Sequence, residues 1–554
     1  MYPGVIVEAA KESVTPGSGL CTNYTISRAI LSDAVALVRG DRFHTIEFTP
    51  KQVTNWAYSE IKSSDKVDQG QVFYKLLFRA FPHHFKANSI YAHFPLVVPS
   101  ENQKIFSELG HVRLYDWSQP SFTPTPRFIK SHAACTSILS DQETFKVTWG
   151  KKIEFLMQNH DQPYGKDFML SGDKPPNASS RKMMGGALYR GQWESEVKKF
   201  YEEITLKLLH RYSYQLAGIN QVDIVRDVAN LAQIHFCAKV FSLPLKTDSN
   251  PRGVFSETEL YQIMALVFAS IFYDADVGKS FELNNAARMV TQQLGKLAMV
   301  NVEAIANTGF IASLVGRLHR HDVLKDFGTH MIQRLLDTGT PAKDIVWTHI
   351  LPTAGGMVAN QGQLISQSLD YYLSEEGSSY LSEINRLAKK DIPEADELLL
   401  RYFMEGARLQ SSVALPREAT KETTIEDNGE KITLKEGEQI VCNLVSASKD
   451  PAVFEEPEKV RLDRDMNAYA HFGFGPHKCL GIGICKTGLT TMFKVFARME
   501  NLRRTPGAQG RLAKLTGPGG IAMYMSADHS AFSPFPTTMK VQWDGDLPPL
   551  KTGS

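Results

Sequence analysis

Cysteine is scarce in this chain, six among 554 residues (Cys21, Cys135, Cys237, Cys442, Cys479, Cys485), and no pair has C-x-x-C spacing. That scarcity disfavours both a disulfide framework and a zinc site, and it fits a reducing compartment. Neither sign of charge is in excess: 61 basic residues face 60 acidic ones, so no nucleic-acid footprint or polybasic membrane patch is expected. No run of about 18 apolar residues occurs, which excludes an obvious membrane-spanning helix. The opening MYPGVIVEAAKESVTPG has no basic segment followed by an apolar one, so no signal peptide is expected. These absences leave small molecules as the expected partners. The expected compartment is the cytoplasm, with at most peripheral contact with membranes or lipid bodies.

What is present is an ordinary globular composition, 43% hydrophobic and 22% charged, at a length that suggests two or more domains. Short helical patterns appear at 26–38 and 73–81. The stretch DWSQPSFTPTPR at 116–127 carries three prolines and no apolar period, so a domain boundary is placed near residue 118. Beyond it, amphipathic patterns at 194–214, 222–243, 257–271, 284–306 and 343–373 predict a mainly α domain over 119–554. Short runs around Asn-Gly and Glu-Gly at 425–442 predict a small β-hairpin element.

The segment HFGFGPHKCLGIGICKTGLTTMFKVFARM spaces Phe472, Gly475, Cys479 and Gly481 as F-x-x-G-x-x-x-C-x-G, directly ahead of an amphipathic helix. A lone cysteine between glycines is usually a small buried residue. Here the glycines let backbone amides approach the sulfur and the helix turns its positive end toward it, so a thiolate is stabilised. Such a thiolate is a metal ligand, and on haem iron it pushes electron density toward the opposite face.

E-x-x-R pairs occur at Glu383/Arg386, Glu405/Arg408 and Glu500/Arg503, and such i,i+3 charges are commonplace on solvated helix faces. Only Glu405/Arg408 lies in an apolar helix, LLLRYFMEGARLQ. It is followed by SSVALPREAT, the hairpin, DPAVFEEPEKVRLDRD and the cysteine loop. This order resembles the cytochrome P-450 superfamily. The resemblance implies that fold, mainly α with small β elements, and haem b with Cys479 as axial thiolate. It further implies Phe472, Gly475, His477 and Gly481 around the cofactor, Arg417 on a haem propionate, and a buried ion-pair set of Glu405, Arg408 and Arg464. Arg181 and Lys182 are read as a solvated basic pair rather than as carboxylate ligands.

The distal helix would be AKDIVWTHILPTAGGMVANQGQLISQSLDYYL, loosened at Gly355-Gly356. Monooxygenases of the superfamily carry an acid-Thr pair there, whereas this chain reads Gly-Gly-Met-Val-Ala-Asn. That departure argues against ordinary oxygen activation and an obligatory reductase. In its place stand Asn360 and Gln363 at i,i+3, neutral amides expected to share a helix face and to hydrogen-bond a peroxide.

The ANQGQ motif and the tail SPFPTTMKVQWDGDLPPLK resemble the fungal fatty-acid dioxygenase fusion proteins, the linoleate diol synthases and psi-factor-producing oxygenases. YPGVIVEAAK is similar to the end of their cyclooxygenase-like domain, so residues 1–118 are expected to be a short helical remnant of that haem-peroxidase-like domain plus a linker. The upstream dioxygenase domain is then a partner. The resemblance implies rearrangement of an unsaturated fatty-acid hydroperoxide without external reductant. A dihydroxy product is favoured over an allene oxide or epoxy alcohol because two amide donors assist heterolysis. The rival reading is a reductase-dependent fatty-acid hydroxylase.

Overall fold

The apolar periods become helices wherever caps and neighbours permit, and a computed structural model describes them over 127–550. Residues 160–161, 249, 275–276, 309–323, 325–326, 517–519 and 527–531 are not described. The expected helices at 26–38 and 73–81, Cys21, the helical remnant at 1–118 and the boundary near 118 all fall outside the described residues. Residues 126–273 and 287–554 form one unit; the other, 1–125 with 274–286, is described almost nowhere.

The helices are α1 (His132–Ser140), α2 (Gly150–Met157), α3 (Pro175–Leu188), α4 (Trp193–Tyr212), α5 (Asn230–Phe241), α6 (Glu257–Phe272) and α7 (Val277–Thr308). They continue as α8 (Phe327–Leu336), α9 (Leu351–Gly355), α10 (Val358–Tyr372), α11 (Leu381–Ala388), α12 (Pro393–Leu409) and α13 (Ile482–Ala497). Local chemistry starts several of them. Ser256 and Glu259 form a reciprocal capping box ahead of α6, with Ser256 N–H donating to Glu259 Oε2 at 2.8 Å. Pro393 opens α12, where its missing N–H costs nothing.

Two helical expectations are modified by long-range contacts. The pattern at 222–243 begins as strand β4 (Ile219–Asp223) because β4 pairs with β13 (Lys540–Asp544) near the end of the chain. Asp223 then accepts from the Arg226 amide at 3.0 Å and the Met539 amide at 3.1 Å, and a π-helical turn (Ile224–Ala229) leads into α5. The pattern at 343–373 contains a π-helical turn (Ile345–Ile350), α9, a break at Gly356-Met357, and α10. Pro352 has no N–H to continue the ladder, and Leu351 reaches back five residues to the Val346 carbonyl.

The β elements are small. β1 (Arg127–Ile129), β8 (Gln439–Asn443), β5 (Ala414–Ala419) and β2 (Phe145–Lys146) form one sheet in that order, with β1 parallel to β8. β3 (Tyr214–Leu216), β4, β13 and β9 (Glu500–Arg504) form a second, and β10 (Lys514–Thr516), β11 (Ala522–Met525) and β12 (Phe532–Ser533) a third. The expected hairpin is β6 (Thr423–Asp427) with β7 (Glu430–Leu434), turning at Asn428-Gly429; the last part of that stretch instead joins the first sheet as β8. The core runs between α4 and α13 and around α10, which packs against α5, α6 and α12. Among the described residues no helix is long and apolar enough to cross a membrane.

Candidate active site

The cysteine loop is built from two short 3-10 turns, Ala470–Phe472 and Gly475–His477. The Cys479 amide donates to the Phe472 carbonyl at 2.9 Å and closes the loop. Gly475 has φ +69°, and a Cβ there would lie 2.5 Å from the Leu139 carbonyl oxygen, so only glycine lets the loop rest on α1. Gly481 is the N-cap of α13 and places the sulfur near the positive end of that helix. The Cys479 thiol is held below its ordinary range by a hydrogen bond from the Cys485 thiol, the Gly481 amide and the Arg181 charge, which together outweigh burial. Arg181 is half-buried and donates to the Lys478 carbonyl; it is part of the loop's wall rather than a solvated cation. Lys182 is exposed beside it.

His477 is clamped by Asp173 at 2.5 Å and Gln142 at 3.2 Å, while its buried Nδ1 has no partner among the described residues. Asp173 also accepts from the Val147 amide at 3.1 Å. Arg417, on β5, is 2% exposed, and its one hydrogen bond among the described residues goes to its neighbour's carbonyl, Pro416, at 2.9 Å. Its guanidinium faces the Trp149 ring 5.4 Å away, and burial lowers its pKa. Asp173 is near enough to attract it but is not hydrogen-bonded to it, so this buried cation still calls for an anion. The low-pKa sulfur and this cation together fit a group that carries a metal at its centre and carboxylates at its edge, which is the description of haem.

The ion-pair set is assembled behind the loop. Glu405 and Arg408 are both 0% exposed and joined by two hydrogen bonds, 2.7 and 3.0 Å. Arg464 donates to Glu405 at 3.2 Å, and Arg408 spends its remaining donors on the carbonyls of Ser448, Pro457 and Lys459. Phe454 lies under both guanidinium groups. The other two E-x-x-R pairs lie at the surface: Glu383/Arg386 is exposed, Glu500 pairs with Lys389 and Arg503 with Asp544. Sequence reasoning missed the Tyr469 hydroxyl, which donates to Glu405 at 2.9 Å, and the Asp173 clamp on His477. No spacing signal marks either one.

From 345 to 373 the distal segment is buried except for one line, Thr353, Gly356, Asn360 and Leu364. That spacing of three, four and four residues is a single helix face, so the helix opens onto space only along this edge. Gly355 on the opposite side lets α6 approach: a Cβ there would lie 2.7 Å from Val267. Asn360 has its Oδ1 tied to the Gln361 amide at 2.9 Å, so its Nδ2 is the outward donor. Gln361 turns the other way to the Tyr201 hydroxyl at 3.2 Å. Gln363 does not share the open line with Asn360: it is 5% exposed, and its amide lies against the Tyr524 hydroxyl of β11.

A family model for cytochrome P-450 matches residues 389–499, the stretch from α12 through α13. Psi-producing oxygenase A of Aspergillus fumigatus is 74% identical over 551 residues, covering 100% of this chain and 51% of that protein. A bifunctional dioxygenase (DOX)-epoxy alcohol synthase (EAS) of Fusarium oxysporum is 46% identical over 547 residues, 98% of this chain and 42% of that protein. The 7,8-linoleate diol synthase of Pyricularia oryzae is 37% identical over 633 residues, 98% of this chain and 54% of that protein. The chain thus spans about half the length of the curated relatives it matches. Among solved structures, the Tepidiphilus thermophilus P-450 heme domain has a TM-score of 0.53 at 16% identity, covering 75% of this chain and 88% of that one, a likeness of fold. With the cysteine loop, the buried ion pair and the fold in agreement, this chain carries a cytochrome P-450 domain, and over its length it is similar to about half of each of the fungal proteins named above.

Proposed function

We propose that this chain rearranges an unsaturated fatty-acid hydroperoxide, of the hydroperoxylinoleate kind, to a dihydroxy fatty acid without external reductant, using haem b ligated by Cys479. The reaction is an isomerisation, so no electrons enter and no atoms are lost. The observation that carries it is Asn360: an amide donor on the one open line of the distal helix, where Met357 and Val358 offer no proton-relaying group. When bound, haem with its thiolate supplies O–O cleavage. Arg417 and His477 would hold its carboxylates, and Glu405, Arg408 and Arg464 keep the loop that carries the sulfur in place. Asn360 Nδ2 donates to a peroxide oxygen and stabilises the charge that develops there.

The names of the relatives support the substrate class: they include linoleate, diol synthase and, at 46% identity, epoxy alcohol synthase. That last name favours a second reading, in which the same hydroperoxide gives an epoxy alcohol, with an allene oxide as its variant. The dioxygenase named in those proteins would supply the hydroperoxide. The test is to incubate purified holoprotein with hydroperoxylinoleate, no reductant present, and separate the products. A diol is expected, unchanged substrate defeats the proposal, and product formed only with NADPH and a reductase would establish the hydroxylase instead.

A further inference from the structure

Helix α3 holds the chain on both sides of the sulfur. Arg181 donates to the Lys478 carbonyl, and the Tyr189 hydroxyl, at the C-terminal end of α3, donates to the Leu480 carbonyl at 2.6 Å. Lys478 and Leu480 are the two chain neighbours of Cys479. Arg181 acts on a peptide whose amide, that of Cys479, already closes the loop on Phe472. Tyr189 acts on the peptide whose amide belongs to Gly481. The oxygen and the N–H of a trans peptide point in opposite directions, so a carbonyl turned toward Tyr189 turns the Gly481 amide away from it. The sulfur is close by: the Cβ position of Gly481 lies 3.8 Å from Cys479 Sγ, and the Gly481 amide is among the groups that hold the thiol below its ordinary range.

The phenol is seated for this contact. Gly483, in the first turn of α13, leaves the space: a Cβ there would lie 3.0 Å from the Tyr189 ring and 3.1 Å from that of Trp193. The Trp193 ring meets that of Tyr189 edge-on at 4.9 Å. The hydroxyl thereby reaches the start of α13 and lies beside the amides of Gly483 and Ile484, two positions whose N–H groups have no partner within a helix. An oxygen that accepts from amides is a stronger donor through its own hydrogen, and a carbonyl that accepts makes the N–H of its peptide a stronger donor in turn. Burial raises the phenol's pKa, so the proton stays in place. Packing against Trp193 alone would not require a hydroxyl on this carbonyl.

We infer that Tyr189 is a positioning residue for the metal-ligating sulfur: its hydroxyl orients and polarises the peptide between Leu480 and Gly481, so that the Gly481 amide hydrogen-bonds Cys479 and limits the electron density the thiolate gives to haem iron. The inference rests on Cys479 as the iron ligand and not on which substrate is turned over.

The experiment measures the ferric–ferrous midpoint potential and the C–O stretching frequency of the ferrous carbon monoxide complex in holoprotein. Tyr189 is replaced by Phe or, by site-specific incorporation, by a ring-fluorinated tyrosine. Tyr189→Phe keeps the ring against Trp193 and Gly483 but removes the donor. A less restrained thiolate favours ferric iron, so the potential should fall, by about threefold in the ferric-to-ferrous equilibrium, and the stretch should move to lower frequency. The fluorinated phenol is a stronger donor, so both readings should move the other way. Trp193→Phe disturbs the same packing, leaves the hydroxyl, and should keep the parental values. Opposite shifts from the two Tyr189 replacements mark a hydrogen bond rather than packing. A parental potential in Tyr189→Phe, shifts in one direction from both replacements, or an equal shift in Trp193→Phe would overturn the inference. If Tyr189→Phe fails to take up haem, the fluorinated protein decides: a raised potential supports the inference, and an unchanged or lowered one overturns it. A parent whose ferrous carbon monoxide complex lacks the thiolate signature would defeat the assignment of Cys479 as ligand instead.

Discussion

On the thiolate side, Glu405 accepts from Arg408, Arg464, Tyr469 and the Arg461 amide, so that a carboxylate with no exposure is surrounded by donors. On the distal side, Asn360 has its Oδ1 tied to the Gln361 amide and lies on the exposed edge, and the neighbouring positions are Met357 and Val358. Charge behind the loop is buried with full compensation, whereas the exposed edge of the distal helix carries a neutral amide. A charged group on the distal helix would have to be desolvated or paired, and pairing would remove it from reach of substrate. Amides avoid that conflict because they keep their hydrogen bonds available without carrying a charge into the core.

The contrast can be broken most severely at the sulfur. Cys479→Ala is expected to abolish turnover and to remove the thiolate signature from the optical spectrum of the ferrous carbon monoxide complex. Next comes the compensation behind it: Glu405→Ala strands two buried guanidinium groups and should cost about 3–5 kcal/mol in denaturant unfolding, with poor haem retention. On the distal face, Asn360→Leu should leave folding and the optical spectrum intact and reduce kcat about 100-fold, the size typical of losing one preorganised donor. Arg417→Met should weaken haem binding by about 1.5–3 kcal/mol, read by haem transfer to an acceptor protein, because a charge-assisted contact is lost while packing against Trp149 is partly kept.

The smallest effect concerns acid. His349, on the π-helical turn of the distal segment and bonded to Ser180 at 3.1 Å, has its pKa lowered by burial to about 4. Its folded pKa lies below the unfolded value of about 6.5, so the unfolded chain binds the proton first. Stability is therefore unaffected above that pH and declines as pH falls from about 6.5 toward 4. His349→Gln should flatten that limb of the unfolding profile; an unchanged limb would place the acid sensitivity elsewhere.

Much of the thiolate side was legible because it is written at short range. Phe472, Gly475, Cys479 and Gly481 fall within one loop and helix start, and Glu405 with Arg408 within one helical turn. Choosing that pair over Glu383/Arg386 needed only the apolar character of the surrounding helix, which governs burial directly. The position of Asn360 on the exposed edge was legible in part, as a polar residue in an apolar helix beside a Gly-Gly break. Gln363 was expected to share its face, and the spacing was correct to within 60°. Which side of that small angle is open and which is filled by protein depends on what packs there.

By itself, then, the chain determined the helices, the sulfur loop and the ion-pair candidates, because propensity, capping and spacing act over a few residues and carry their own energies. Tertiary structure alone decided that 219–223 is a strand, since its partner is β13; that His477 is clamped by Asp173; and that the Tyr524 hydroxyl accepts from Gln367. Those are pairings between segments distant in sequence, and their energy exists only once the fold has brought them together.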